Sequence, residues 1–245
     1  MAIQRAWSWR ALKDYLQWRG PIVIALLVLR ELLRPICYWH AWHIFESNLA
    51  QKMPPPYAKS ECTVKIHDAQ EDRHSLVSLI AGMGELQSEE IRSRLDRGHL
   101  PGIAYSGDQP VGYMWLAFGG AVDLWFGYDT YWKVTGDEAV RYGSFVIPAF
   151  RGQAIHSLLN ASMNAYARQH GIVRTLGAIS ILNPQSLAMP KRYRKAITMT
   201  VFLARVRGIN WTIRQSFGAP LESRLFWRDA KAATETQVLE DVGRR

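Results

Sequence analysis

Phe145-Val146-Ile147-Pro148-Ala149-Phe150-Arg151-Gly152-Gln153-Ala154-Ile155-His156 is the stretch on which the fold turns. Residues 140–147 read as a strand closed by Pro148. Ile155, Leu158, Leu159, Met163 and Tyr166 recur at helical spacing over residues 154–170, and Gly171 follows in the manner of a C-cap glycine. A short loop with an arginine and a glycine joins the two. The first N–H groups of a helix have no partner within it and carry partial positive charge, so such a loop is a natural phosphate cradle. Gly152 permits close backbone approach, and Arg151 adds a fixed charge. Many strand-to-helix turns carry a glycine and bind nothing, so the loop chemistry alone leaves both readings open.

Working outward, residues 102–105 and 111–118 read as a β-hairpin around Ser106-Gly107-Asp108-Gln109-Pro110. Residues 62–67 alternate as a first strand. Residues 72–83 and 88–97 read as helices, the second with Ser88 as N-cap and Ile91 and Leu95 buried. Residues 122–128 form a further strand or part of an aromatic insertion that runs on to Trp132. Residues 173–181 are apolar with little alternation, as in a strand covered on both faces, and residues 197–206 make a last strand. No internal repeat is visible.

The prolines of Lys52-Met53-Pro54-Pro55-Pro56-Tyr57 force an extended linker. The expected organisation is an N-terminal helical appendage and linker at 1–58, a main domain at 59–227 and a polar tail at 228–245. In the appendage Trp7, Trp9, Trp18, Trp39 and Trp42 are interleaved with Arg5, Arg10, Lys13 and Arg19. Its apolar run, residues 21–29, falls short of the roughly 20 residues a membrane span requires, and no signal-peptide cleavage site follows it. A helix lying in an anionic membrane interface fits this mixture, and so does one packed on the protein's own core or on a second subunit, a homodimer. His40 and His43, placed on one face of a helix, read as aromatic packing and not as a metal site.

The chain has 245 residues, 48% of them hydrophobic and 21% charged, which excludes a disordered or collagen-like protein. Its 2 cysteines exclude a disulfide scaffold and a four-thiolate zinc site, so free thiols, a cytoplasmic location and no metal are expected. The net charge of +9 is localised: residues 151–227 hold 11 Lys and Arg against 1 acidic residue, while residues 46–150 hold 9 against 14. That asymmetry points to a phosphate or polyanion site. No base-reading motif accompanies it, so nucleic acid is not expected as a partner.

On Val146, Pro148, Phe150, Arg151 and Gly152 the chain resembles the GNAT superfamily of acyl-CoA N-acyltransferases, whose strand ends in Val-x-Pro before an Arg-Gly-x-Gly-x-Gly loop and a long helix. Val111-Gly112-Tyr113-Met114-Trp115 resembles the end of that family's hairpin, and Asn183-Pro184-Gln185-Ser186 its Asn-x-x-Ser helix opening. The resemblance covers about residues 60–208. It implies an α/β fold with a mixed, mostly antiparallel sheet of six or seven strands flanked by helices on both faces. It also implies direct transfer of an acetyl or longer acyl group from acyl-CoA to an amine acceptor. The donor would lie on Val146, Ile147, Arg151, Gly152, Gln153, Ala154, Ile155, His156, Asn183 and Ser186, with His156 donating to a phosphate or capping the helix.

Catalysis of this kind needs a base or water chain, an oxyanion donor and an acid for the thiolate. A backbone N–H of the 140–147 strand is the implied oxyanion donor, Glu138 the base and Tyr193 the acid. Glu138 also reads as a solvated turn carboxylate, and Tyr193 as a packed surface residue. Ala154 and His156 stand where the family has glycines, and Pro190 where it often has its tyrosine. These departures motivate an alternative, a catalytically weakened GNAT-like module that binds acyl-CoA or a partner. Lys191, Arg192, Arg194 and Lys195 supply a cationic patch for phosphate or for lipid headgroups at an inner membrane face.

Overall fold

A computed structural model of the chain describes residues 21–33, 36–50, 61–67, 72–84, 86–123, 130–183, 186–187, 197–206, 209–216 and 225–227. The chain divides into two compact units, one of residues 47–177 and 222–245, the other of residues 1–46 and 178–221.

In the first unit the strands are β2 (Cys62–Ile66), β3 (Leu100–Ser106), β4 (Gln109–Asp123), β5 (Thr130–Val146), β6 (Arg174–Ser180, through Gly177) and β9 (Leu225–Trp227). Their order is β2-β3-β4-β5-β6, with β9 added along β5. All pairings are antiparallel except β5 with β6, which is parallel. The hairpin expected around residue 107 is present, with Ser106 facing Gln109 across a two-residue loop. Gly107 takes φ +58 there, as the first position of a type II′ turn requires.

Helix α2 (Arg73–Gly82) is capped by Asp72, whose carboxylate accepts from the N–H groups of His74 and Ser75. Helix α3 (Ser88–Asp96) starts one residue earlier than expected: Gln87 is the N-cap, and Ser88 is the first helical residue. Helix α4 (Ile155–Gln169) buries Ile155, Leu159, Met163 and Ala167, a stripe at intervals of four. That stripe packs with Ala104, Val111, Met114 and Leu116 of the hairpin and with Ala139 of β5. A Cβ on Gly102 would lie 2.5 Å from Met163 Cε, so a larger residue there would require the Met163 side chain to shift. Burying each of the large side chains in this stripe contributes about 1.5–3 kcal/mol. Gly171 follows α4 at φ +77, the expected left-handed helix stop.

In the second unit α1 (Pro21–Leu33) precedes β1 (Cys37–Asn48, through Glu46), and β1 pairs antiparallel with β7 (Ile197–Val206), which pairs antiparallel with β8 (Ile209–Ser216). Residues 37–48, read from the sequence as part of a helical appendage, are therefore a strand. Together with β8 and β9 this raises the number of strands among the described residues to nine. His40 and His43 consequently do not share a helix face. His40 stacks on Trp42 at 4.7 Å and lies beside Arg30, and His43 Nδ1 meets Thr200 Oγ1 at 2.9 Å. Burial, reinforced by Arg30, pushes the His40 ring down to about 3, so it is neutral at physiological pH. No helix among the described residues is long and apolar enough to cross a membrane.

Candidate functional site

Strand β5 runs parallel to β6 from Glu138↔Arg174 to Arg141↔Gly177, and the pairing stops there, five residues before β5 ends. Beyond that point β5 bulges. Tyr142 faces Trp115 and Phe145 faces Tyr113, so Gly143 and Ser144 together oppose the single residue Met114. Gly143 takes φ +55, and a Cβ there would meet Arg94 Nη1 and lie 3.2 Å from Trp115 Cδ1.

After β5 the Ile147 N–H bonds to Val111 O, and Pro148–Phe150 form a single 3-10 turn. The loop then reaches α4 through two left-handed residues, Gly152 at φ +80 and Ala154 at φ +62. Ala154 is the N-cap of α4 and the one non-glycine with positive φ among the described residues. A left-handed alanine costs roughly 1–2 kcal/mol. Where the resembled family has a glycine, this chain retains glycine's backbone conformation with a methyl group attached.

The other expected donor-site residues are placed as follows. Arg151 folds back, its Nε donating to Val146 O at 3.2 Å and its guanidinium lying 6.0 Å from the Phe145 ring. Ile155 is buried in the core and can offer a ligand only its backbone. Val146 and Ile147 close β5, and Gln153 sits between the two left-handed residues. His156 reaches Ser144 Oγ with Nε2 at 2.9 Å, and its Nδ1 accepts from Asn160 Nδ2 at 2.8 Å. In the other unit Asn183 Oδ1 accepts from the Ser186 N–H at 3.3 Å and its carbonyl accepts from the Leu187 N–H, so the Asn-x-x-Ser segment opens a helical turn. Tyr193, Pro190 and the cationic patch at 191–195 lie outside the described residues.

Glu138 is not a solvated turn carboxylate. It lies in the middle of β5, is buried, and meets Arg174 Nη2 of β6 at 2.7 Å. The two halves of this ion pair are direct register partners across the parallel β5–β6 pairing.

Sequence reading missed a second set of polar residues around the end of the β5–β6 pairing. Arg141 is buried; its Nη1 donates to Asn160 Oδ1 and its Nη2 to Ser47 Oγ at 3.0 Å. Among the described residues no carboxylate pairs with it, and its Nε has no hydrogen-bond partner. Burial lowers it to about 10, which still leaves it charged at neutral pH. The available signals were an arginine inside the expected strand, Val140-Arg141-Tyr142, and the His156–Asn160 spacing of one helical turn. Across from the bulge, Arg94 pairs with Glu90 at 2.5 Å and lies 4.8 Å from the Tyr142 ring, while the Tyr142 hydroxyl meets His99 Nδ1 at 2.5 Å. Burial, with Arg97 and Arg94 nearby, pushes His99 down to about 3.

No family model and no curated protein matches the sequence. Among solved structures the chain is similar to a tandem GNAT protein from the clavulanic acid biosynthesis pathway, at 15% identity over 69% of this chain and 54% of that one, with a TM-score of 0.48. It is also similar to a GCN5-related N-acetyltransferase from Sphaerobacter thermophilus, at 12% identity over 79% and 58%, with a TM-score of 0.46. An aminoglycoside N-acetyltransferase in complex with CoA matches at 16% identity over 54% and 89%, with a TM-score of 0.40. The chain spans little more than half the length of the first two. With its antiparallel hairpin, the parallel junction of β5 with β6 and the glycine loop that opens α4, the chain has a GNAT-like fold.

Proposed function

We propose that the protein is an acyl-CoA-dependent N-acyltransferase whose donor lies along the free end of β5 and on the loop into α4. The observation that carries this reading is the left-handed pair Gly152 and Ala154 at the start of α4. Successive N–H groups in such a turn converge into an anion-binding concavity, and the helix opening adds its partial positive charge. A strained alanine retained in that conformation supports a role for the loop beyond connection. Past Arg141↔Gly177 the strand has backbone groups that the β6 ladder does not use, which suits an extended pantetheine arm. The acceptor is a neutral primary amine that attacks the thioester carbonyl. On the resemblance alone, Asn183 and Ser186 are proposed to bind acyl-CoA and Tyr193 to protonate the leaving thiolate. Glu138 serves as base only if Arg174 releases it.

Thermal denaturation with free CoA, acetyl-CoA and a long-chain acyl-CoA tests this. A ligand that binds only the folded state stabilises it by about 2.7 kcal/mol at a hundredfold excess over Kd. A dose-dependent rise in Tm supports the donor site, and the ranking of the three ligands selects the acyl length. No rise at millimolar ligand removes the reading.

A second proposal is attachment to an anionic membrane surface through α1. Only Ile24 and Leu27 of this helix are buried, whereas Ile22 and Leu32 are exposed by 76% and 72% and Val28 and Leu29 are also exposed. Co-sedimentation with anionic vesicles is expected for the full chain and is expected to be lost on Ile22→Glu with Leu32→Glu.

A further inference from the structure

The polar residues beside the cradle form a chain of hydrogen bonds that all run in one direction. The Asn160 amide can take only one orientation. Its Oδ1 accepts from Arg141 Nη1, a group with hydrogens and no lone pairs, and its Nδ2 donates at 3.0 Å to the His156 carbonyl oxygen, a group with lone pairs and no hydrogens. The same Nδ2 lies 2.8 Å from His156 Nδ1, so that ring nitrogen is the acceptor. The ring proton therefore sits on Nε2, which donates to Ser144 Oγ at 2.9 Å. The Ser144 hydroxyl hydrogen is then left to point onward, and among the described residues no acceptor receives it.

The chain starts at a buried guanidinium with no carboxylate partner among the described residues and ends at a hydroxyl in the bulge of β5, beyond the last β5–β6 pair. A charge at one end polarises every bond after it, and the low dielectric of the interior strengthens the effect. His156 belongs to the first turn of α4, so the Ser144 hydroxyl is tied to the helix that the cradle opens.

We propose that Ser144 is a catalytic hydrogen-bond donor that binds the carbonyl oxygen of the acyl donor, and that Arg141, Asn160 and His156 are the residues that position and polarise it. This rests on the acyl-donor reading of the site. The amine nitrogen bonds to the carbonyl carbon, and the π pair moves onto the oxygen held by Ser144. Return of that pair breaks the carbon–sulfur bond and releases the thiolate, while the amine proton passes to water. Ser144 keeps its proton throughout and acts by preorganised hydrogen bonding alone.

Ser144→Thr and Ser144→Val test the proposal, because they are nearly equal in size and differ in a hydroxyl against a methyl group. The readouts are thiol release from acetyl-CoA with a panel of primary amines, and the acetyl-CoA concentration that half-saturates the rise in Tm. S144V is expected to fall about 10²–10³-fold below S144T in kcat. The half-saturating concentration is expected to change by less than about threefold, since the donor acts on charge that develops in the transition state. Asn160→Asp places an acceptor opposite His156 Nδ1, so it is expected to shift the pH–rate profile, a response that a packing role would not give. Equal kcat in S144T and S144V overturns the proposal, as does a wild-type protein that binds acetyl-CoA but releases no thiol above the uncatalysed rate. If CoA and acetyl-CoA leave the wild-type Tm unchanged, the acyl-donor reading itself fails and this proposal falls with it. If S144V does not fold, Ser144→Ala against S144T makes the same comparison.

Discussion

Strand β5 buries a carboxylate at Glu138 and a guanidinium at Arg141, and the two are satisfied in opposite ways. Glu138 meets its counter-charge across the parallel junction, Arg174 at 2.7 Å. Arg141 meets two neutral oxygens, those of Asn160 and Ser47. The first arrangement is closed: its charge is cancelled where β5 and β6 are still paired, and it holds the junction together. The second is open, because neutral partners pass the field of the cation along to Ser144. Within one turn of sheet, the strand changes from a structural to a chemical role.

The largest expected effect tests the closed half. Glu138→Ala leaves Arg174 without its partner at 2.7 Å, and since that side chain is one-third exposed and can rehydrate, the loss of stability should be about 2–3 kcal/mol in denaturant unfolding. If stability is unchanged while turnover collapses, Glu138 belongs to the chemistry and the contrast is broken.

A somewhat smaller effect concerns His99, whose partner Tyr142 follows Arg141 directly. Its folded-state value of about 3 lies below the ordinary 6.5, so the unfolded chain binds the extra proton and stability is lost as pH falls from 6.5 toward 3. About 2 kcal/mol should go between pH 7 and pH 5 from this group. His99→Gln should flatten that part of the pH–stability curve; a variant that retains the full slope shows that His99 is not its source.

The open half should respond differently. Arg141→Met removes a buried cation that no carboxylate among the described residues balances, so stability should change by less than about 1 kcal/mol. Turnover of acetyl-CoA should fall toward the level of Ser144→Val. A loss of stability as large as that of Glu138→Ala would make Arg141 a structural residue too. The smallest expected effect is in the cradle. Ala154→Gly relieves left-handed strain but loosens the unfolded chain, for a net gain of about 0.5 kcal/mol in stability with CoA affinity retained.

The sequence made the strand, loop and helix of the cradle legible because each part has local causes: a proline, Pro148, that closes the strand, a glycine, and an apolar stripe that ends at Gly171. The hairpin around Gly107 was legible for the same reason. Residues 37–48 were misread because tryptophan, tyrosine and histidine in mixture fit an interfacial helix as well as a strand, and pairing with β7 decides. The Ser144 chain was not legible, since Ser47, Arg141 and Asn160 meet only after the chain has folded. Ala154 was read as a departure from the family's glycine. Whether the surrounding fold imposes a left-handed alanine is a tertiary matter that no local rule reports.

Gly143 limits how this sequence can drift. Every single-base change in a glycine codon that alters the residue adds a Cβ, and here that atom would run into the Arg94 guanidinium at a backbone angle that L-residues avoid. A replacement here is strained by that angle and must also displace the end of the Arg94 side chain, which Glu90 and Tyr142 engage. Variation at this bend of the strand should appear in lineages as coupled exchanges of at least two residues, and single replacements there should be rare.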